Sequence, residues 1–310
     1  MSAAVVVAFP TEELRDAVAH VSGTEAVLWD GQGDPDPRIE VCVPDYRTPT
    51  SFQRLGELPR LRLVQTQLAG YDGQLELLPD GVTLCNAAGV HDDATAEHAV
   101  ALLLAVLRRI PEAVRGHGSW QQLRGGMRSL ADSSVLVLGY GSIGRALGHR
   151  LLAHGARVTA VARRARDDDL VGPVHPVEEL GALLPAQHAV VVLLPLSDAT
   201  RGFVGAEVLG ALPDDAVVVN VARGGVVDTE AVLAEAGRLR FALDVTDPEP
   251  LPDDHPLWDA AHVLITPHVA GGTTAMLPRM GALLHEQLER YVAGHPLRNV
   301  VAGPGRRVTG

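Results

Sequence analysis

The chain has 310 residues, enough for two domains, and carries a net charge of −12, which argues against a nucleic acid or an anionic membrane surface as its main partner. With 46% hydrophobic residues and a mean hydropathy of +0.12 it has ample material for cores, yet its unbroken apolar runs, such as 99–107 and 189–194, fall far short of a membrane span. All 26 basic residues are arginine, which excludes Schiff-base enzymes, lysine-dependent pyridoxal phosphate chemistry and a P-loop.

Apolar runs at 5–8, 26–29, 41–43, 61–64 and 84–86 read as strands, and 12–20 and 51–58 as helices. That alternation predicts a parallel sheet with helices on both faces. Cys42 and Cys85 have no metal-ligand spacing and read as reduced core residues. Met1-Ser-Ala-Ala-Val lacks the basic start of a secretory signal, so a cytoplasmic location is expected, and no metal is. Residues 94–110 form a helix that is apolar nearly all round, buried between domains or at a subunit contact. The stretch 116–126, with Trp120, is a glycine-rich link.

The run 135–138 then enters Gly139-Tyr-Gly141-Ser-Ile-Gly144, and a helix follows over 145–154, closed by Gly155. Strand before and helix after make this a dinucleotide-binding turn. The first glycine permits the turn, the second lets backbone approach a pyrophosphate, and the third lets helix pack on strand. The phosphates then sit at the helix N-terminus. Further strands follow at 158–162, 189–194, 216–221, 241–245 and 263–266, with helices at 177–184, 206–212 and 229–236 between them. A last helix at 274–293 can return to the first domain.

The second strand of such a fold ends in an acidic residue that binds the ribose 2′-hydroxyl. Here the slot is Ala162, followed by Arg163 and Arg164. Loss of the carboxylate removes repulsion, and guanidinium groups grip a 2′-phosphate bidentately. NADP is therefore favoured over NAD.

Three stretches lie at the C-terminal ends of successive strands, where open α/β sheets put ligands: 219–228, 243–251 and 265–272. They supply Arg223, Glu249 and His268. A 2-oxo acid needs a fixed cation for its carboxylate and a proton donor for its carbonyl oxygen. Arginine gives the planar grip, histidine titrates near neutrality, and a carboxylate beside the imidazole favours its protonated form. Asp228 reads as a helix N-cap. His98, His117 and His255 lack comparable neighbours in the sequence and read as ordinary side chains.

The glycine motif, Leu194-Pro-Leu-Ser-Asp-Ala-Thr-Arg-Gly202, the arginine stretch, Asp244-Val…Glu249-Pro and Thr266-Pro-His268 occur in the order of the D-isomer-specific 2-hydroxyacid dehydrogenases. The chain resembles that family along its whole length. Gln65-Thr-Gln-Leu-Ala-Gly-Tyr-Asp72 resembles the family's substrate loop, and Ala96-Glu-His98 the start of its interdomain helix.

The resemblance implies two doubly wound parallel-sheet domains: a Rossmann-type cofactor domain at 99–274 inserted into a flavodoxin-like substrate domain at 1–98 plus 275–310. It makes Arg223 the substrate-binding cation, His268 the acid/base and Glu249 its partner, with the backbone at Ala69, Gly70 and Tyr71 holding the substrate carboxylate. Leu68 and Arg47 are further candidates for substrate contact. Beside Gly139, Gly141 and Gly144, it puts Ser142, Ile143, Arg163, Leu194, Pro195, Val221, Ala222, Asp244 and Gly271 around the cofactor. Arg164, Thr200, Arg223 and His268 join that set. Trp120 either packs the link or reaches a neighbouring subunit's active site.

The expected reaction is hydride transfer between NADP(H) and a small 2-oxo or 2-hydroxy acid, glyoxylate and hydroxypyruvate being the first candidates, in a homodimer. NAD(H) is the second choice. A rival of another class is a cofactor-sensing interaction protein like the family's corepressors. Those carry extra tails, whereas this chain stops soon after Arg298-Asn-Val300. Two departures from the family stand out: the acidic cofactor residue is absent, and the helix at 229–236 runs early into Gly237-Arg-Leu239. Formate dehydrogenases carry glutamine at the Glu249 slot, phosphite dehydrogenases a lysine at the Ala69 slot, and amino-acid dehydrogenases rely on lysine.

Overall fold

The computed structural model describes residues 4–48, 50–116 and 126–304, so His117 and Trp120 lie outside the described residues. Two compact units form. One comprises the chain up to His91 with the stretch from Thr274 onward, and the other is Asp92–Thr273.

The first unit holds strands β1 (Val5–Phe9), β2 (Thr24–Leu28), β3 (Ile39–Cys42), β4 (Leu63–Gln65), β5 (Thr83–Cys85) and β14 (Val300–Ala302). Their order is β14-β5-β4-β3-β1-β2. All pair in parallel except β14, which runs antiparallel to β5. Successive side chains point to opposite faces of a strand, and here both faces are covered. Val7, Phe9, Val41 and Leu63 pack on one side, and Val6, Ala8, Cys42 and Val64 on the other. Helix α1 (Glu12–Ala17) opens on Thr11, whose hydroxyl accepts from the Leu14 N–H. The terminal helix, residues Met276–Val292, supplies Met280, Leu284 and Leu288 to the first face. It lies so close to α1 that a Cβ at Gly281 would sit 2.4 Å from the Ala17 carbonyl oxygen.

The second unit has eight strands in the order β13-β12-β11-β10-β6-β7-β9-β8. Six of them are β6 (Ser134–Leu138), β7 (Arg157–Ala162), β10 (Ala189–Val192), β11 (Val217–Asn220), β12 (Arg240–Leu243) and β13 (Val263–Ile265). These six are parallel and match the apolar runs. Val135, Val137, Val191 and Val219 face one way, against a helix at Asp92–Leu107 (α3 below) and another at Ser142–Ala153. Leu136, Leu138, Val190 and Val218 face the other, against Leu180, Leu209 and Val232.

The remaining pair, β8 (Arg166–Asp168) and β9 (Gly172–Pro176), forms a hairpin on the β7 edge. The stretch expected as one helix over 177–184 is a chain of short turns, with α-helix confined to Leu180–Leu183. The fold is thus α/β with two mostly parallel sheets. Among the described residues, no helix is long and apolar enough to cross a membrane, and no group of three His, Cys, Asp or Glu is placed to hold a metal.

Candidate active site

The glycine turn follows β6. Gly139 has φ +104°, and a Cβ there would lie 2.6 Å from the Leu193 carbonyl carbon, so only glycine fits. At Gly144 a Cβ would meet the Gly139 carbonyl oxygen at 2.7 Å, whereas at Gly141 it would meet nothing within 4 Å. The helix beginning at Ser142 has Gly141 as its N-cap and no side-chain cap. Its first N–H groups therefore face an open approach with the positive end of the helix dipole behind them. Ser142, Ile143 and Gly144 carry those groups. This donor set fits a dinucleotide pyrophosphate.

Strand β7 ends at Ala162, and Arg163 and Arg164 follow, both exposed. Among the described residues neither makes a hydrogen bond or an ion pair. The hairpin beyond them is docked on the glycine turn. Tyr140 Oη donates to Asp168 at 3.3 Å, Arg145 pairs with Asp168 and Asp169, and Arg166 donates to the Tyr140 carbonyl. Burial, with Asp168 alongside, pushes the Tyr140 phenol up to about 12, so it stays a donor. After β10, Leu194 and Pro195 enter a turn closed by Thr200, whose hydroxyl donates to the Pro195 carbonyl at 2.6 Å.

Arg223 follows β11. Buried Asn220 holds its loop from both sides: Nδ2 donates to the Arg223 carbonyl at 2.9 Å, and Oδ1 accepts from the Ala222 N–H at 3.1 Å. Val221 is buried, while Ala222 and Arg223 are half-buried. The Arg223 guanidinium donates to the Ala222 carbonyl at 2.7 Å. Asp228 caps the next helix by accepting from Glu230 and Ala231.

Glu249 lies between two prolines in the loop after β12, and its Oε1 is 2.5 Å from His268 Nδ1. Both side chains are exposed. With Nδ1 donating to a carboxylate, Nε2 is the ring nitrogen for proton exchange with a ligand. His268 itself has φ +51°, a conformation that costs a non-glycine residue roughly 1–2 kcal/mol.

Asp244, 1% exposed at the end of β12, holds that turn in place. Its carbonyl accepts from the His268 N–H at 2.7 Å. Its Oδ1 accepts from Val269 N–H and Thr266 Oγ1, and its Oδ2 from Ala270 N–H. Burial pushes the Asp244 carboxyl up, but hydrogen bonds from His98, Thr266, Val269 and Ala270 outweigh it and bring it down to about 2. His98 thus has a partner that its sequence neighbours do not reveal. His255 does not: it caps a turn by accepting from the Leu257 N–H. Gly271 lies one residue past Ala270, half-buried.

In the first unit, Ala69, Gly70 and Tyr71 follow β4, all half-buried. The loop is braced by buried polar side chains. Asn86 Nδ2 donates to the Ala69 carbonyl at 2.6 Å, Gln67 Nε2 to the Pro44 carbonyl at 2.7 Å, and His91 Nε2 lies 2.8 Å from the Gln67 carbonyl. The loop is thereby tied by side-chain hydrogen bonds to the buried polar groups of its own unit. Arg47 is held by Asp45, whose carboxyl its guanidinium keeps below the usual range.

Residues 100–270 match the family model described as the D-isomer specific 2-hydroxyacid dehydrogenase, NAD binding domain. A glyoxylate reductase of Aeropyrum pernix is 33% identical over 265 residues, covering 80% of this chain and 78% of that protein. The human glyoxylate reductase/hydroxypyruvate reductase is 31% identical over 308 residues, covering 92% and 93%. A D-isomer specific 2-hydroxyacid dehydrogenase from Xanthobacter autotrophicus, solved with NADPH and MES, superposes with a TM-score of 0.82 at 30% identity, covering 97% of this chain and 99% of that one. The chain belongs to the D-isomer-specific 2-hydroxyacid dehydrogenase family.

Proposed function

We propose that the protein is an NAD(P)-dependent 2-hydroxyacid dehydrogenase that works with NADPH and reduces a small 2-oxo acid, such as glyoxylate or hydroxypyruvate, to the D-2-hydroxy acid. The observation that carries this reading is the 2.5 Å contact between Glu249 Oε1 and His268 Nδ1, one strand along from the Arg223 loop. When bound, the nicotinamide supplies the hydride.

Every other part of the reaction falls to side chains and backbone of this chain. The Arg223 guanidinium binds and orients the substrate carboxylate. His268 gives the proton from Nε2 to the substrate oxygen, while Glu249, in contact with Nδ1, orients the ring. The open N–H groups at Ser142–Gly144 bind the pyrophosphate, and the backbone at Ala69–Tyr71 takes part in carboxylate recognition. Val221, Ala222, Leu194, Pro195, Asp244 and Gly271 line the cofactor site, with Thr200 shaping the turn that carries Pro195.

The NADP preference rests on Ala162, which leaves the ribose without a carboxylate, and on the exposed Arg163 and Arg164. The buried thiols of Cys42 and Cys85 suit a reducing, cytoplasmic setting, and a homodimer is the expected assembly. Initial rates with a panel of 2-oxo acids, each with NADPH and NADH, test the proposal. NADPH oxidation with a 2-oxo acid of two or three carbons is expected. No oxidation of either cofactor by any member overturns the activity, and a clear advantage of NADH overturns the cofactor preference.

A further inference from the structure

His98 lies on α3 and is half-buried. Its Nε2 is 3.1 Å from Thr266 Oγ1 and 3.3 Å from Asp244 Oδ1. Counting protons decides what that nitrogen is. The Thr266 hydroxyl has one hydrogen and directs it to Asp244 Oδ1 at 2.6 Å. The Asp244 carboxylate, already accepting from two backbone N–H groups, is ionised and has none to give. Neither neighbour can donate to His98, so Nε2 must carry the hydrogen and share it between them.

We propose that His98 is a positioning residue for His268, acting through Asp244. Its Nε2–H completes the donor set around the buried carboxylate. That carboxylate and its own main chain grip the consecutive N–H groups of His268, Val269 and Ala270. The acid/base imidazole is thereby held against Glu249 from a backbone conformation that a free turn would leave. His98 adds the one donor in this set that comes from a helix, so it ties the turn to the packed core along α3. Removing the donor leaves a buried carboxylate short of a partner, and the turn loosens where His268 stands.

The inference rests on the dehydrogenase reading only for its kinetic arm. His98→Leu removes the donor, whereas His98→Gln returns an amide N–H at similar reach without the ring. Expected are a kcat at least tenfold lower in His98→Leu, and hydrogen exchange at the Val269 and Ala270 amides faster by a similar factor. In His98→Gln both return to within about threefold of wild type. Ring nitrogen NMR on the wild-type protein should show His98 protonated at Nε2. A His98→Leu variant with wild-type kcat and exchange, or a His98→Gln variant no better than it, overturns the proposal. So does a His98 ring bare at Nε2, whichever variants fold. Amide exchange and the ring nitrogens are read without substrate, so a failed activity panel leaves this inference standing on its own result.

Discussion

Gly224 and Thr246 meet backbone to backbone: a Cβ on Gly224 would lie 1.8 Å from the Thr246 carbonyl oxygen and 2.1 Å from its carbonyl carbon. The loop that carries Arg223 is thereby seated on the loop that carries Glu249. Thr229 adds a second tie between the same segments, donating from Oγ1 to the Asp247 carbonyl at 2.9 Å. Neither atom near Gly224 belongs to a flexible side chain, so the backbone itself must move to admit a methyl group. Gly224→Ala should cost about 3 kcal/mol, the upper part of the overpacking range. It should also lower kcat/KM sharply. Denaturant midpoints and initial rates measured together check both, and a variant of wild-type stability removes the argument for a fixed spacing of the two loops.

His268→Asn removes the proposed proton donor while keeping a polar side chain of modest size. Turnover should become undetectable, and NADPH binding, followed by fluorescence, should stay within about threefold. Glu249→Gln keeps the contact to Nδ1 but not the charge, so kcat should fall by about 10²–10⁴-fold, the usual worth of a general acid/base partner. Residual turnover at wild-type rate in His268→Asn would reassign the acid/base.

The two arginines after β7 give a separable effect. Arg163→Ser with Arg164→Ser removes the guanidinium groups proposed to grip a 2′-phosphate. Each charge-assisted contact is worth about 1.5–3 kcal/mol, so KM for NADPH should rise by at least tenfold. KM for NADH should not change. Ala162→Asp in the same background should move the preference further toward NADH. Equal losses for both cofactors would mean that the arginines serve the fold and not the phosphate.

Asp244 makes a testable contribution to acid stability. Its carboxyl is held at about 2 in the folded protein, below its ordinary 3.8. A depressed carboxylate stabilises the fold above the unfolded value, and that stability is lost as pH falls through the folded one. The loss should therefore run from about pH 4 down to pH 2 and amount to roughly 2 kcal/mol. Asp244→Asn should be less stable at neutral pH and flatter across that window, as followed by urea unfolding at a series of pH values.

Much of the fold is legible in the sequence because buried parallel strands are written as unbroken apolar runs, as at β6, β10 and β11. The hairpin of β8 and β9 is not, since Arg-Asp-Asp and Gly-Pro-Val-His-Pro carry little strand propensity. Those strands form because Tyr140, Arg145 and the β7 edge dock them, a tertiary cause that no local window contains. The strand β14 is hidden for the same reason, three residues recruited to an edge.

At the site, Arg223, Glu249 and His268 stand out because the proposed chemistry calls for those residue types at strand ends. His98 does not, because its partner Asp244 lies far along the chain and the contact depends on how α3 lies on the sheet. A histidine at the head of a mostly apolar helix is the signal the sequence offers. It gains meaning only once a buried, ionised aspartate is known to face it.

The return of the chain to its first sheet has a consequence for synthesis. The second unit is one continuous stretch, Asp92–Thr273, whereas the first lacks its last helix and β14 until the C-terminal residues have been made. On the ribosome, the glycine turn and the Arg223, Glu249 and His268 loops can therefore be complete while β5 still offers an unpaired edge. Truncation before Val300 should leave a protein that still binds nucleotide through the second unit but aggregates through the first.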